Sequence, residues 1–415
     1  MSSSSPPPVR WRSIALTAYG PTALVSIGTG AIVPLIALSA RDLGASVGVA
    51  ALIVALAGIG QLVGDLPAGA LAARIGEKYA LMAACAVDAV ALLGAFLSGR
   101  ADSLPGLGAA VFVTGLANAV FSLARQAYLT EAVPIHARAR AMSTLGGVFR
   151  FGSFVGPFVG ALVVSRSSIG AAYAFAAAMS LLSAVLVGFL PDVGRRHRGQ
   201  SAGPSAPAAA EPSVLSVLAQ HRRVLLTLGA GVLIISAVRA TRQVIIPLWG
   251  EAAGISPAAT SLIFGISAGV DLLLFYPGGA VMDRFGRVWV AVPSMIIMGI
   301  GLMLLPLTAT ALGITAVACV LGFGNGISAG IVLTLGADTS PVVGRAQYLG
   351  GWRLCADLGN TLGPLIISAI AAVASLAVAS LALGGLAWVG AAWLARLVPR
   401  YAHPGRARIR PVPGD

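Results

Sequence analysis

Charged residues are scarce in this chain: only 10% of its 415 residues are Asp, Glu, Lys or Arg, whereas an ordinary globular domain has about 25%. Hydrophobic residues make up 57% of the chain. A water-soluble fold with this composition would lack polar side chains for its surface. We therefore expect most of the chain to lie within a lipid bilayer, where a spanning helix needs about 20 apolar residues.

Cysteine and histidine are also rare, with three and four residues respectively. Cys85, Cys319 and Cys355 lie in apolar runs and form no Cys-x-x-Cys pair, and the histidines lie in polar, basic segments. This pattern excludes a disulfide framework and argues against a zinc or histidine-based catalytic site. The lack of a Walker A sequence excludes ATP as the energy source. We see no nucleophile, acid pair or metal cluster at an aqueous face, so we expect neither an enzyme nor a cofactor.

Twelve apolar segments follow one another along the chain and are numbered here as spans 1 to 12. They run near 13–38, 47–73, 79–98, 104–130, 141–165, 169–190, 224–249, 256–282, 288–309, 311–336, 346–371 and 375–397. The segments lack the alternation of apolar and polar positions that a membrane β-barrel requires, so helices must pair the backbone groups within lipid. The predicted fold class is an all-α membrane protein with twelve transmembrane helices in two six-helix bundles.

The basic residues lie mainly on one side of the predicted membrane. The chain has a net charge of +13. If the N-terminus is cytoplasmic, only Arg41, Arg100 and Arg166 fall in segments on the other side. By the positive-inside rule, both termini are therefore predicted to be cytoplasmic. This distribution explains the net charge without nucleic acid as a partner and predicts a multi-pass protein of the plasma or inner membrane.

Residues 191–223 differ from the apolar segments around them, because Pro, Ala, Gly and Ser dominate after a basic start. This composition is typical of a flexible linker. We therefore predict an N-terminal bundle over 1–190, a cytoplasmic linker over 191–223, a C-terminal bundle over 224–398 and a basic cytoplasmic tail over 399–415.

An internal repeat relates the two halves. A polar Asn, an acid and an Arg recur in register, which chance matches among small residues would not produce. The first set is Gly115, Asn118, Glu131, Pro134, Arg138, Gly152, Gly156 and Pro157. The copies lie 207 positions later and are Gly322, Asn325, Asp338, Pro341, Arg345, Gly359, Gly363 and Pro364. Because each half has six spans, both copies have the same orientation in the membrane, as in a parallel repeat.

Short motifs in both halves resemble those of a known transporter family. Gly69–Lys78 reads GALAARIGEK and Gly279–Arg287 reads GAVMDRFGR. Both resemble motif A of the major facilitator superfamily, although the first copy has Ala73 in place of Asp and Glu77 in place of a basic residue. Gly152–Gly160, GSFVGPFVG, resembles motif C of the drug-exporting branch. The resemblance implies that spans 1, 4, 7 and 10 line a central cavity and that spans 2, 5, 8 and 11 form the seam between the bundles.

Ionisable residues within the spans are candidates for function, because placing a charge in lipid is costly. In the arrangement that the resemblance implies, Asp65 faces Arg353 and Arg150 faces Asp271 across the seam at matching depths. We hypothesise that these are switchable proton-coupling pairs, which separate when the acid is protonated. The alternatives are permanent structural pairs and an intrahelical pair between Arg353 and Asp357.

Arg239 and Arg242 lie one turn apart on span 7 and would attract an anionic or polar substrate if they face the cavity. Alternatively, Arg242 snorkels outward and Arg239 pairs with an acid. Arg125 on span 4 resembles the Arg of the family's motif B, but it sits lower, so a gating role is an equal alternative to a substrate or proton role. Asp88 on span 3 has no obvious partner. The predicted substrate cavity comprises Arg239, Arg242, Arg125, Asn118 and Asn325.

From the resemblance, motif A and charges at the cytoplasmic ends of spans 4 and 10 are expected to form a gate that latches the outward-open state. The alternative is that these charges only set the topology. The predicted gate residues are Gly69, Arg74, Gly76, Asp283, Arg284, Gly286, Arg287, Glu131, Arg138, Asp338 and Arg345. Close helix packing at the moving seam is expected of the motif C residues Gly152, Gly156, Pro157 and Gly160.

These features favour a secondary transporter that works by alternating access and exports small amphipathic or drug-like molecules in exchange for protons. A proton-coupled importer or facilitator of a small metabolite is the alternative within transport. A non-transporting membrane sensor is the alternative of another class. The expected partners are the lipid bilayer, a small-molecule substrate and protons, and the protein is expected to be a monomer.

Overall fold

The computed structural model describes residues 19–133, 135–189 and 213–401. Within these ranges the regular elements are helices, and twelve of them are long and apolar enough to cross a membrane. The predicted fold class is thereby confirmed. Spans 1 to 6, the N-terminal bundle, are the helices Gly20–Asp42, Val47–Ile75, Glu77–Arg100, Leu104–Ala132, Ile135–Arg166 and Ile169–Gly188. Spans 7 to 12, the C-terminal bundle, are Arg222–Ala252, Pro257–Phe285, Val288–Leu304 with the 3-10 turn Leu305–Leu307, Ala311–Ile327 with Ile331–Thr339, Arg345–Val373 and Leu376–Tyr401.

Hydroxyl side chains define where the even-numbered spans begin. A Ser or Thr before each of these helices accepts a hydrogen bond from the backbone N–H three residues later. This N-cap satisfies a donor that the first turn would otherwise leave unpaired. The capping residues are Ser46, Ser103, Ser168, Ser256, Thr310 and Ser375.

Span 10 differs from the continuous helix predicted over 311–336, because it is interrupted between Ile327 and Ile331. The Ser328 hydroxyl donates to the carbonyls of Gly324 and Asn325 within the last turn before the break. Such local bonds compete with helix continuation, and glycine-rich sequence weakens the helix further. Span 4, its counterpart in the repeat, is a single helix.

The predicted linker lies mainly outside the described residues, as do Pro134 and residues 402–415 of the predicted tail. Its described end contains a short helix, Val214–Gln220, directly before span 7. Val217 of this helix is buried, and Leu218 packs beside Gly351 of span 11. The last part of the segment is therefore docked on the C-terminal bundle.

The two bundles repeat one packing arrangement. Span 1 packs against spans 5 and 6, span 2 against span 4, and span 3 against spans 4 and 6. In the same way, span 7 packs against spans 11 and 12, span 8 against span 10, and span 9 against spans 10 and 12. Spans 2 and 11 and spans 5 and 8 join the bundles along two seams. We call the end at which span 1 begins and span 12 ends the terminal face, and the other end the opposite face.

The motif C glycines lie inside the N-terminal bundle, not at the seam where we expected them. Gly152, Gly156 and Gly160 are four residues apart, so they share one face of span 5. A Cβ atom at any of them would press on residues 26–31 of span 1. The seam is instead formed by Phe154 and Phe158, whose rings lie against glycines of span 8. The helix rotation that places phenylalanine at the seam turns the glycines towards span 1.

Gly115 brings span 4 into backbone contact with span 2, and we expect Gly115→Ala to destabilise the fold strongly. A Cβ atom there would collide with the carbonyl oxygen of Ala57. Because backbone atoms cannot rotate away, the free energy of unfolding should fall by more than the roughly 1–3 kcal/mol typical of overpacking. The matched control is Gly146→Ala, since nothing lies within 4 Å of the added atom. Thermal aggregation of the two purified variants checks this; equal midpoints would contradict it.

Candidate functional site

A cavity of about 610 Å³ lies between the two bundles. Side chains from spans 1 to 5 and from spans 7, 8, 10 and 11 line it. Ligand cavities for small molecules commonly measure about 300–1,000 Å³. The wall contains the charged or polar side chains Gln61, Asp88, Asn118, Arg125, Arg150, Arg239, Arg242, Gln243, Asp271, Asn325 and Asn360. The cavity can therefore hold a small polar molecule.

The bundles are joined at the opposite face. Arg41 at the end of span 1 forms a salt bridge of 2.9 Å with Glu251 at the end of span 7. Nearby, the start of span 2 approaches span 11 so closely that a Cβ atom on Gly48 would lie 3.0 Å from the carbonyl oxygen of Ser368. Arg41 and Glu251 occupy equivalent positions in the repeat, because they are 210 residues apart, as are the motif A glycines Gly69 and Gly279 near the start of each half. The ion pair thus joins the two bundles at the opposite face, close to the axis that relates them.

Asp271 is the centre of a charged network in the C-terminal bundle. Its carboxylate accepts hydrogen bonds from Arg150 Nη1 of span 5 at 2.9 Å and from Asn325 Nδ2 of span 10 at 2.5 Å. Arg242 Nη2 of span 7 lies 3.5 Å away. Arg239 Nε donates to the Asn325 amide oxygen at 2.5 Å. The structure therefore brings the sequence-predicted seam pair and three of the predicted cavity residues into one network.

The network contains more positive than negative charge. The network contains three guanidinium groups and one carboxylate, that of Asp271: Arg150 and Arg242 bind the carboxylate directly, and Arg239 binds it through Asn325. Nη1 of Arg242 is buried and has no hydrogen-bond partner within the part of the chain that the structure describes. Arg242 lines the cavity and does not snorkel outward to the lipid, and a buried donor without an acceptor is unfavourable. An anion in the cavity would satisfy that donor and reduce the excess of positive charge.

Gln61 occupies the place of Asp271 in the N-terminal bundle. It lies 210 positions before Asp271, and its Oε1 accepts a hydrogen bond from Asn118 at 3.3 Å, as Asp271 does from Asn325. Its Nε2 donates across the seam to Asp357, also at 3.3 Å. Asp357 itself lies 207 positions after Arg150. The two seams therefore have the same geometry, but a neutral amide replaces the acid in the N-terminal bundle.

The other predicted seam pair is part of a three-residue cluster. Arg353 lies 3.4 Å from Asp65 across the seam and 3.4 Å from Asp357 on its own helix. The structure thus contains both the predicted cross-seam pair and its intrahelical alternative. Two carboxylates share one guanidinium, so this cluster carries one negative charge in excess when both acids are ionised.

Arg125 lies beside aromatic rings, and no acid among the described residues forms an ion pair with it. Its guanidinium carbon is 5.3 Å from the centre of the Phe121 ring and 5.9 Å from that of Phe149. Its Nε atom is buried without a hydrogen-bond partner. Because Arg125 also lines the cavity, it is a second donor there for a bound anion.

The predicted gate residues form contacts within each bundle. Arg287 is 2.7 Å from Asp338 at the terminal face. This hydrogen-bonded carboxylate raises the pKa of the Arg287 guanidinium above its ordinary value. Arg138 donates to the carbonyl of Val133 at 3.2 Å, and Arg284 lies over the ring of its neighbour Phe285.

Two of the motif A glycines adopt backbone angles that favour glycine. Gly76 and Gly286 have φ angles of 89° and 99°, which are strained for other residues. Each joins two spans directly at the terminal face. The remaining predicted gate residues are exposed at that face: Gly69, Arg74, Glu131, Asp283 and Arg345.

Breaking the Arg41–Glu251 pair should shift the protein towards the form that is open at the opposite face. Both side chains are about one-third exposed, and exposed pairs contribute about 0.2–1 kcal/mol. We expect Glu251→Gln to change the ratio of the two forms by about two- to fivefold. Spin labels at positions 42 and 252, in a cysteine-free background, would report the distance between the bundle ends.

A charge swap provides the control for this experiment. Because the two residues are equivalent in the repeat, the double variant Arg41→Glu/Glu251→Arg should restore the original distance distribution. If Glu251→Gln leaves the distribution unchanged, the pair does not hold the opposite face closed.

The sequence matches one family model, and the structure is similar to several solved structures. The family model described as Major Facilitator Superfamily matches residues 22–241 and 228–413. The structure is similar to that of a D-xylose-proton symporter, with a TM-score of 0.72 and 16% identity over 95% of this chain and 98% of that one. The nucleoside transporter NupG gives a TM-score of 0.72 and 15% identity over 92% and 98% of the two chains.

A further structure, the inward-open conformation of the xylose transporter XylE from E. coli, gives a TM-score of 0.69 and 16% identity. The match covers 94% of this chain and 96% of that chain. No curated protein sequence matches this chain.

Proposed function

This chain belongs to the Major Facilitator Superfamily, and from that premise we propose that it is a proton-coupled importer of a small organic anion. Membership makes it a multi-pass membrane protein of a transporter family. The substrate class, the coupling ion and the direction are our proposals, as is the cytoplasmic placement of the terminal face, which the distribution of basic residues supports.

The excess of guanidinium groups in the cavity is the observation that carries the proposal. Arg150 and Arg242 share the Asp271 carboxylate, and Arg239 donates to the neighbouring Asn325 amide. Both Arg242 and Arg125 have a buried N–H group without a partner among the described residues. Arginine binds carboxylate and phosphate groups through paired donors, and such charged hydrogen bonds are strong in a buried site. A substrate with one such group fits this wall, whereas a cationic or purely apolar molecule does not.

Asp271 supplies a link between substrate and proton. Its carboxylate forms ion pairs with Arg150 and Arg242. An anionic substrate that binds Arg242 competes with this carboxylate, and a carboxylate that loses a cationic neighbour is more readily protonated. Substrate binding and protonation therefore favour each other, and such coupling is reciprocal. This is the coupling that a symporter requires.

Protonation also affects the seam. The Arg150–Asp271 pair connects span 5 with span 8, and a neutral Asp271 no longer attracts Arg150. The seam can then separate, so that the bundles rock about the bound substrate. The Asp65–Arg353–Asp357 cluster lies at the other seam. We propose that it adjusts the same equilibrium.

Export of amphipathic or drug-like molecules remains the alternative, since the motif C resemblance favours it. Import fits the cavity better, because its charged wall suits a hydrophilic metabolite. The D-xylose-proton symporter, which has the same fold, provides a precedent for movement of a hydrophilic metabolite together with protons.

Reconstitution of the full chain in liposomes with an imposed pH gradient tests the proposal. A pH-sensitive dye would report proton flux while anionic, neutral and cationic metabolites are added in turn. We expect only an anionic class to collapse the gradient. Collapse by cationic amphipathic compounds alone would support export instead. Binding of an anion without any flux would support a sensor and contradict transport.

A further inference from the structure

Asp88 is a buried carboxyl group that the proposed mechanism does not use. It lies in the middle of span 3, a helix of 24 residues, and only 8% of its surface is exposed. Asp65, Asp271 and Asp357 each lie beside an arginine. No described basic side chain lies within ion-pair distance of Asp88. An unpaired carboxylate in the middle of a membrane is costly, so its presence calls for a neutralising ligand.

Hydroxyl groups from two other helices contact this carboxyl group. The Ser180 hydroxyl of span 6 is 2.6 Å from Asp88 Oδ2, and Thr114 of span 4 interacts with the same group. A hydroxyl can donate to a carboxylate and, after rotation, accept from a carboxylic acid. The surroundings therefore satisfy the hydrogen bonds of both the ionised and the protonated form.

The other groups around Asp88 are neutral or distant. On span 3 itself, Cys85 lies about one turn away and contacts Ser183 of span 6 at 3.4 Å. On span 4, the charged side chain that borders the same cavity is Arg125, about three turns from Thr114. Span 6 faces Asp88 with the hydroxyl of Ser180. In the described part of span 2, Gln61 is the polar side chain that lines the cavity.

The cavity reaches this group. Asp88, Cys85 and Thr114 belong to the wall of the same cavity as the Asp271 network, so water in the cavity has access to the carboxyl group. A metal cation is a poorer fit, because hard divalent cations are held by about six oxygen ligands. No group of three His, Cys, Asp or Glu side chains suited to a metal exists among the described residues.

We propose that Asp88 is a second proton-binding site, located in the N-terminal bundle and loaded from the central cavity. The inference rests on the proposed function in one respect, since it adds a proton to the transport cycle. The C-terminal bundle binds the substrate and one proton at the Asp271 network. The N-terminal bundle carries another proton at Asp88. No arginine among the described residues pairs with this carboxyl group, so a proton binds there without displacing one.

Infrared difference spectroscopy of the full chain in lipid tests this site without any substrate. Spectra recorded while the pH is raised detect the carbonyl stretch of a protonated carboxyl group and its loss on ionisation. We expect the wild type and Asp271→Gln to show such a band, and Asp88→Asn to lack it. Ser180→Ala should shift the frequency of the band, because the carboxyl group loses a hydrogen-bond partner.

Three results would overturn the proposal. They are a spectrum of Asp88→Asn identical to that of the wild type, a band that does not change with pH, and a change that follows sodium at constant pH. If Asp88→Asn does not fold, the frequency shift in Ser180→Ala decides the matter. Since no transport is measured, failure here leaves the test of the proposed anion import untouched.

Discussion

Asp271→Gln is expected to abolish accumulation of substrate driven by a pH gradient, while exchange of substrate across the membrane continues. A gradient of one pH unit supplies about 1.4 kcal/mol per proton, enough for about tenfold accumulation. Without the group whose protonation is linked to bound substrate, uptake should stop when the concentrations on both sides are equal, since the proton at Asp88 is bound whether or not substrate is present. Exchange should persist, because it requires only that the loaded carrier rocks between its two forms.

Glutamine is the informative replacement at this position, because the protein already contains it at the equivalent place. Gln61 pairs with Asn118 in the N-terminal bundle as Asp271 pairs with Asn325 in the C-terminal bundle. The variant therefore copies an arrangement that this fold accommodates. It still removes the negative charge between Arg150 and Arg242, so stability has to be checked alongside transport.

Uptake and counterflow in proteoliposomes distinguish these expectations. Asp102→Asn is the matched control, since Asp102 is exposed in the loop between spans 3 and 4 and has a positive φ angle that Asn tolerates. The control should accumulate substrate like the wild type. If Asp271→Gln also accumulates substrate against its gradient, Asp271 is not the coupling residue.

The sequence was sufficient for the fold because two independent signals agreed. Continuous apolar segments indicated helices, and the recurrence of Asn118 as Asn325 in register indicated two equivalent bundles. Depth along a helix was also accessible, since each residue adds about 1.5 Å. This is why Arg150 was matched with Asp271 and Asp65 with Arg353, and the structure places both pairs in contact.

Helix rotation and neutral polar partners could not be predicted in the same way. The glycines of motif C were assigned to the seam, because depth alone does not say which face of span 5 meets span 8. Gln61 was missed because a search for charges passes over an amide. The repeat could have indicated its role, because Gln61 lies 210 positions before Asp271. The same spacing separates Arg41 from Glu251.

Binding of the substrate, as distinct from proton coupling, should depend on Arg242. Its Nη2 atom lies 3.5 Å from Asp271, while its buried Nη1 atom has no partner. The side chain therefore has a free donor for an anion in the cavity. Its counterpart in the N-terminal bundle is Ile32, 210 positions earlier, so no equivalent donor exists there to replace it.

Arg242→Gln is expected to raise KM for an anionic substrate by about 10- to 100-fold, because a hydrogen bond to a charged group is worth roughly 1.5–3 kcal/mol. The maximal rate should change much less, since Asp271 and Arg150 keep the seam pair. Arg166→Gln, at an exposed position at the end of span 5, is the matched control and should leave KM unchanged. Discrimination between the anion and a neutral analogue should fall by the same factor as KM rises. If KM rises equally for both compounds, Arg242 supports the cavity wall and does not bind the charge of the substrate.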